Sequence, residues 1–102
     1  MIARVWRGVT AAEDGDAYAA YIEETGTTSA RKLPGSRGTL VLRRTDGDRT
    51  EFQTVILFDS LADVRAFAGD DIEKAVFYPE DDRYLIDRDL GVTHYEVDVL
   101  MV

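Results

Sequence analysis

His94 is the only histidine in a chain of 102 residues, and so the only side chain whose unperturbed pKa lies near neutrality. Within reach of a phenol it is a general base, taking the proton and leaving an electron-rich phenolate able to reduce dioxygen. On a strand edge beside Glu96 and Asp98 it is a solvated histidine and nothing more. Trp6, the only tryptophan, reads either as a stacking surface for a flat aromatic or as a core or interface residue. In the first case its indole N–H is an orienting donor. Arg7 falls on the opposite face of the same strand, so the two cannot line one pocket; it needs a substrate oxyanion or one of the 20 carboxylates as partner. Tyr18 and Tyr21 lie one helical step apart, and Phe67 belongs to a second helix. The three either wall a cavity rimmed by phenolic hydroxyls or pack as an ordinary buried stripe. Glu80, Asp81 and Asp82 offer oxygen ligands for a cation, but three consecutive acids do not converge on one point and read as a solvated turn.

Much chemistry is excluded outright. There is no cysteine, hence no disulfide, thiolate metal site or cysteine nucleophile. The chain has no glycine-rich phosphate loop, no nucleophile elbow and no pair of histidines for a transition metal. Neither a metal nor another cofactor is expected. A formal net charge of −8, with both signs mixed along the chain, opposes binding to nucleic acid or an anionic membrane. No apolar run is long enough to span a bilayer, and the first residues enter a patterned segment with no signal-like apolar stretch. A single cytoplasmic domain over residues 1–102 is the expectation.

The elements that must position these residues are legible from periodicity. Ile2 to Gly8 reads as a first strand, with Ile2, Arg4 and Trp6 on one face and Ala3, Val5 and Arg7 on the other. Thr10-Ala11-Ala12-Glu13 has the spacing of a capping box and predicts a helix burying Ala17, Tyr18, Tyr21 and Ile22, with Gly26 as its stop. Gly38 to Arg44 is a second strand and Glu51 to Asp59 a third, joined through Asp46-Gly47 as a hairpin turn. With those two residues central, Val41 faces Phe52 and Arg44 meets Arg49, an unfavourable pair that suggests a loop one residue different. Ser60 to Asp63 is a second capping box, followed by a stripe of Leu61, Val64, Phe67 and Ala68. Gly69 breaks that helix, and Ile72, Ala75 and Val76 repeat the stripe in a shorter helical piece. Val92 to Val99 is the last strand, with Tyr95 and His94 on opposite faces.

The order βαββαβ predicts an α+β, ferredoxin-like domain: a four-stranded antiparallel sheet with both helices on one face. The third strand is apolar on both faces: Thr54, Ile56 and Phe58 point one way, Val55 and Leu57 the other. Two helices cover one side only. A second copy of the same sheet is the economical cover for the other, so a homodimer through the sheet face is expected.

Ile2-Ala3-Arg4-Val5-Trp6-Arg7-Gly8, Asp59-Ser60-Leu61, Phe77-Tyr78-Pro79-Glu80-Asp81-Asp82 and His94-Tyr95-Glu96-Val97 resemble an uncharacterised branch of the antibiotic biosynthesis monooxygenase family. The resemblance covers nearly the whole chain. It implies the dimeric α+β barrel, with a ligand pocket between each sheet and its own helices. Some relatives oxygenate electron-rich polycyclic phenols without metal or flavin, and others degrade haem. The haem degraders use a histidine on the second helix, a tryptophan on the third strand and an asparagine on the first. Here Leu61 to Phe77 contains no histidine, the third strand no tryptophan, and the first strand offers Trp6 and Arg7 instead. The resemblance therefore implies a cofactor-free oxidoreductase acting on a hydrophobic aromatic, or a non-catalytic binding or stress-response dimer using the same pocket. His94 is the candidate base, with Trp6, Arg7, Tyr18, Tyr21 and Phe67 as candidate substrate-binding residues.

Overall fold

A computed structural model describes residues Met1–Val102. Its strands are β1 (Ile2–Ala11), β2 (Ser36–Asp46), β3 (Arg49–Phe58), β4 (Leu85–Arg88) and β5 (Thr93–Glu96). Between β1 and β2 lie α1 (Gly15–Ile22) and α2 (Thr28–Arg31); α3 (Leu61–Ala68) follows β3, and a single turn, α4 (Asp81–Tyr84), precedes β4. The sheet runs β2–β3–β1, all antiparallel. Its fourth position is shared end to end: β5 pairs with Ile2 to Val5 and β4 with Gly8 to Thr10 on the same edge of β1. The four expected columns are present, and the last is built from two short pieces because the chain bends away between Arg88 and Thr93.

Several local expectations give way to stronger tertiary ones. The Thr10 capping box does not form: β1 runs on to Ala11, Thr10 is buried opposite Thr50, and its hydroxyl donates to the Ala11 carbonyl. Gly26 does not stop the first helix, which passes through a π-helical turn (Glu23–Thr27) with right-handed backbone on either side and continues as α2. Residues 70–80 are not the second helical piece. Arg4 takes the carbonyls of Ile72 and Lys74, while Ala75 and Val92 bond across to Leu90 and Glu73, so this segment ladders against residues 90–92 instead.

The hairpin turns on Gly47-Asp48, one residue later than the Asp46-Gly47 reading. Gly47, with φ of 62°, takes the positive-φ first central position of a II′ turn. That register sets Arg44 opposite Glu51 rather than Arg49, and Val41 opposite Thr54 rather than Phe52. The Ser60 cap does form, though not as a reciprocal box: Ser60 Oγ accepts from the Asp63 N–H, and the Asp63 carboxylate accepts from the Ser60 hydroxyl at 2.8 Å rather than from its backbone N–H. Gly69 at φ of 85° ends α3.

The helices cover the face carrying Ile2, Arg4, Trp6, Phe52, Ile56 and Phe58. They bury two separate clusters. Tyr18, Ile22, Phe52 and Leu85 form one near the Gly8–Phe52 row. Ala30, Ile56, Phe58 and Val64 form the other around the Ile2–Phe58 and Arg4–Ile56 rows. On the opposite face, Leu40 and Leu42 of the edge strand β2 are about half exposed, at 51% and 49%.

Candidate ligand cavity

Between the two clusters runs the Trp6–Thr54 row, and Thr54 is too small to fill it. The gap is a cavity of about 70 Å³ with a mouth open to solvent. Its floor is sheet: Arg4, Trp6, Thr39, Thr54 and Ile56. Helix residues Tyr18, Ile22 and Phe67 form the roof, and Phe77, Tyr78 and Asp81 close one side. The π turn contributes Thr25, Gly26 and Thr27 to the rim. Such turns are rare and recur at functional sites.

Trp6 stands in the middle. Its ring makes an edge contact with Phe77 at 6.1 Å, and its N–H donates to the Asp89 carbonyl at 2.8 Å. A Cβ at Gly8 would overlap the Trp6 ring, so the glycine supplies the space in which the indole lies. At one end, Tyr18 packs edge-on to Phe52 at 5.2 Å and donates to Asp81 Oδ1 at 2.8 Å; the Tyr78 N–H donates to Oδ2 at 2.7 Å. Burial, reinforced by the Asp81 carboxylate, pushes the Tyr18 hydroxyl far up and keeps it protonated. At the other end Arg4, 4% exposed, donates to the carbonyls of Ile72 and Lys74 at 2.5 and 2.8 Å. Its guanidinium lies 5.7 Å from the Phe67 ring centre.

The candidate residues divide accordingly. Trp6, Tyr18 and Phe67 line the cavity together. Tyr21 stands behind Tyr18 and accepts from the Glu80 N–H, outside the lining. Arg7 points to the open face, where Glu51 and Asp87 hold it at 3.0 and 3.5 Å, outside the cavity lining. His94 shares the helix face with Arg4 but stops outside the cavity lining. An arginine can only donate, so the 3.1 Å contact to Nε2 places the His94 lone pair on Arg4 and its proton on Nδ1. Burial and the Arg4 charge lower the His94 pKa, with Glu73 opposing, and the ring is neutral at neutral pH. Its basic lone pair is nonetheless occupied.

Two groups escaped the sequence reading. Arg4 read as one more residue of an alternating strand. Asp81 read as part of a solvated acidic turn, yet it is 6% exposed while its neighbours turn outward, Asp82 to Arg88 and Glu80 to Arg83. The signal available for Asp81 was its place at the start of a short helical turn two residues beyond Pro79.

No family model matches this sequence, and no curated protein matches it. Solved structures do. A Bacillus cereus protein named as an antibiotic biosynthesis monooxygenase superposes with a TM-score of 0.69 at 13% identity, covering 99% of this chain and 96% of its own. This is the same fold. The haem degrader MhuD from Mycobacterium tuberculosis, solved with two haems in its active site, aligns over 100% of both chains with a TM-score of 0.64 at 15% identity. HapK from Hahella chejuensis gives 0.64 at 12% identity, covering 100% of this chain and 98% of its own. The structural neighbours are thus antibiotic biosynthesis monooxygenase-like proteins, and the α+β, ferredoxin-like architecture read from the sequence is the observed one.

For a haem iron the cavity lining offers Tyr18, Tyr78 and Asp81 as oxygen donors; it contains no histidine, cysteine or methionine, and the one imidazole nearby is engaged by Arg4. Nor does the chain bring three histidine, aspartate or glutamate side chains together around a possible metal position.

Proposed function

We propose that this chain is a small cofactor-independent monooxygenase-like protein that takes a hydrophobic aromatic or polyphenolic substrate into the Trp6 cavity. The observation that supports it most is the cavity itself: aromatic walls from Trp6, Tyr18, Phe67 and Phe77, a few polar groups at its two ends, and a position between helices and sheet. In such a reaction a base takes a phenol proton and the resulting electron-rich anion reduces dioxygen directly. The substrate supplies all four electrons; one oxygen atom becomes a quinone carbonyl, and the other leaves as water with two substrate hydrogens. Asp81 is the carboxylate that lines the cavity, and each of its oxygens keeps a lone pair beyond the bonds to Tyr18 and Tyr78. His94 acts as base only if Arg4 releases it, so its role is to position Arg4.

Dioxygen uptake without added metal or flavin, on a panel of anthrone-like and dihydroxyaromatic compounds, tests this reading. Saturable uptake lost in Asp81→Asn and retained in His94→Gln is the expected result. Loss in His94→Gln with Asp81→Asn active returns the proton to the imidazole. The alternative reading, a non-catalytic binding module, is favoured by one observation: both nearby bases already accept hydrogen bonds from the protein. Binding with no uptake by any compound selects it.

The assembly proposed with this function is a homodimer through the open sheet face. Leu40, Leu42, Val55 and Leu57 lie together there, and Arg7, Glu51 and Asp87 form an ion-paired group beside them toward one end of the strands. An exposed apolar patch bordered by locally neutralised charge suits a second copy of itself.

A further inference from the structure

The cavity holds one cation that no protein carboxylate answers. Arg4 takes part in none of the molecule's ion pairs, although seven other pairs are present. It is nevertheless buried, and its acceptors are two neutral carbonyls and a neutral imidazole. A guanidinium has five N–H donors, of which three are used; Nε–H and one terminal N–H have no protein acceptor. No fully buried polar side-chain atom in the chain is left unpaired, so the free Nε is accessible, and Arg4 is one of the residues that line the cavity.

We propose that the cavity takes an aromatic acid: a flat apolar ring system carrying one carboxylate that docks on the free edge of Arg4. The inference rests on the aromatic-ligand reading above and adds its charge. A carboxylate matches the planar donor edge of a guanidinium with two parallel bonds. The opposite end of the cavity enforces the orientation. The Arg4 row and the Gly8–Phe52 row, against which Tyr18 packs, are separated by four residues of β1, roughly 13 Å. Asp81 at that far end repels an anion, so the acid lies at Arg4 and the rings lie across Trp6 toward Tyr18. Burial alone acts on the Arg4 pKa, downward; a ligand anion restores the charge balance the protein leaves open.

Calorimetric titration of the wild-type protein with 2-naphthoate and 2-naphthamide tests this, with Trp6 emission reporting that the ligand enters the cavity, since the chain has no other tryptophan. The two probes share rings and size and differ in charge. Naphthoate is expected to bind roughly 10- to 100-fold more tightly, and Arg4→Met is expected to erase that preference by weakening naphthoate alone. Arg4→Lys retains part of it. Equal affinity of the two probes in the wild type overturns the charge assignment while leaving the aromatic cavity standing. So does a preference that survives in a folded Arg4→Met. Should Arg4→Met not fold, the wild-type pair decides alone. Failure of both probes to bind or to perturb Trp6 removes the aromatic-cavity reading itself, and the inference with it.

Discussion

Arg4 and Arg7 stand three residues apart on β1 and belong to different worlds. Arg7, on the open face, is half in water, and Glu51 first, then Asp87, raise its pKa. Arg4, under the helices, has no carboxylate and is lowered by burial. The same residue type on the same strand thus serves two purposes, fixed by strand parity alone. On the open face charge is neutralised locally, beside an apolar patch. On the helix face charge is kept and presented to a cavity. A sheet face that meets another copy of itself gains from internal neutrality, whereas a face that meets a ligand can leave one charge unmet.

The contrast can be broken or sharpened by mutation. The largest effect belongs to the covered face: Phe52→Ala, at a fully buried side chain, is expected to cost about 3–5 kcal/mol, read from urea unfolding. On the open face, Leu40→Glu with Leu42→Glu is expected to leave the monomer folded and move the sedimenting species from dimer to monomer. A wild type that is already monomeric at micromolar concentration removes the second copy from that face. Tyr18→Phe deletes the donor to a buried carboxylate and is expected to cost about 1–3 kcal/mol. Arg7→Met, breaking exposed pairs, is expected to change stability by less than about 1 kcal/mol.

The smallest effect is a pH dependence. The folded pKa of His94 lies below its ordinary value near 6.5, so the unfolded chain binds the extra proton first. The stability this contributes is fully present above 6.5 and falls as pH drops through the folded value. His94→Gln should flatten that part of a pH–stability curve measured by thermal melts. An unchanged curve would dissociate His94 from Arg4.

Element type and order were legible because strand alternation and helical stripes are local signals. β1, the central hairpin, the Ser60 cap and the break at Gly69 follow from residue chemistry within a few positions. What the sequence concealed were partners far apart in the chain. Arg4 becomes special only because residues 70–80 turn two carbonyls toward it and His94 arrives from β5. Residues 70–80 looked helical because Ile72, Ala75 and Val76 keep the period, yet their backbone groups find partners in residues 90–92. Of the cavity lining, Tyr18 and Phe67 were legible as aromatics of the helix stripes and Trp6 as a large aromatic on the first strand, but not that the three meet. The two charged members, Arg4 and Asp81, were not legible, since burial of a charge is decided by its tertiary neighbours.

The π turn has one more consequence, visible when the helix is treated as a rotating phase. At roughly 100° per residue, Ile22 lies about 40° around the axis from Tyr18, Ala30 about 120° and Thr27 about 180°. On an unbroken α-helix, then, Thr27 would face solvent and Ala30 would miss the second cluster. Both are buried. A π turn absorbs one extra residue, about 100° of phase, and brings Thr27 and Ala30 back to roughly 80° and 20°. One helical rod can therefore seal both ends of the cavity because its middle is out of step by a single residue. Removing one residue between Glu23 and Gly26 would restore ideal helical geometry and dismantle the roof.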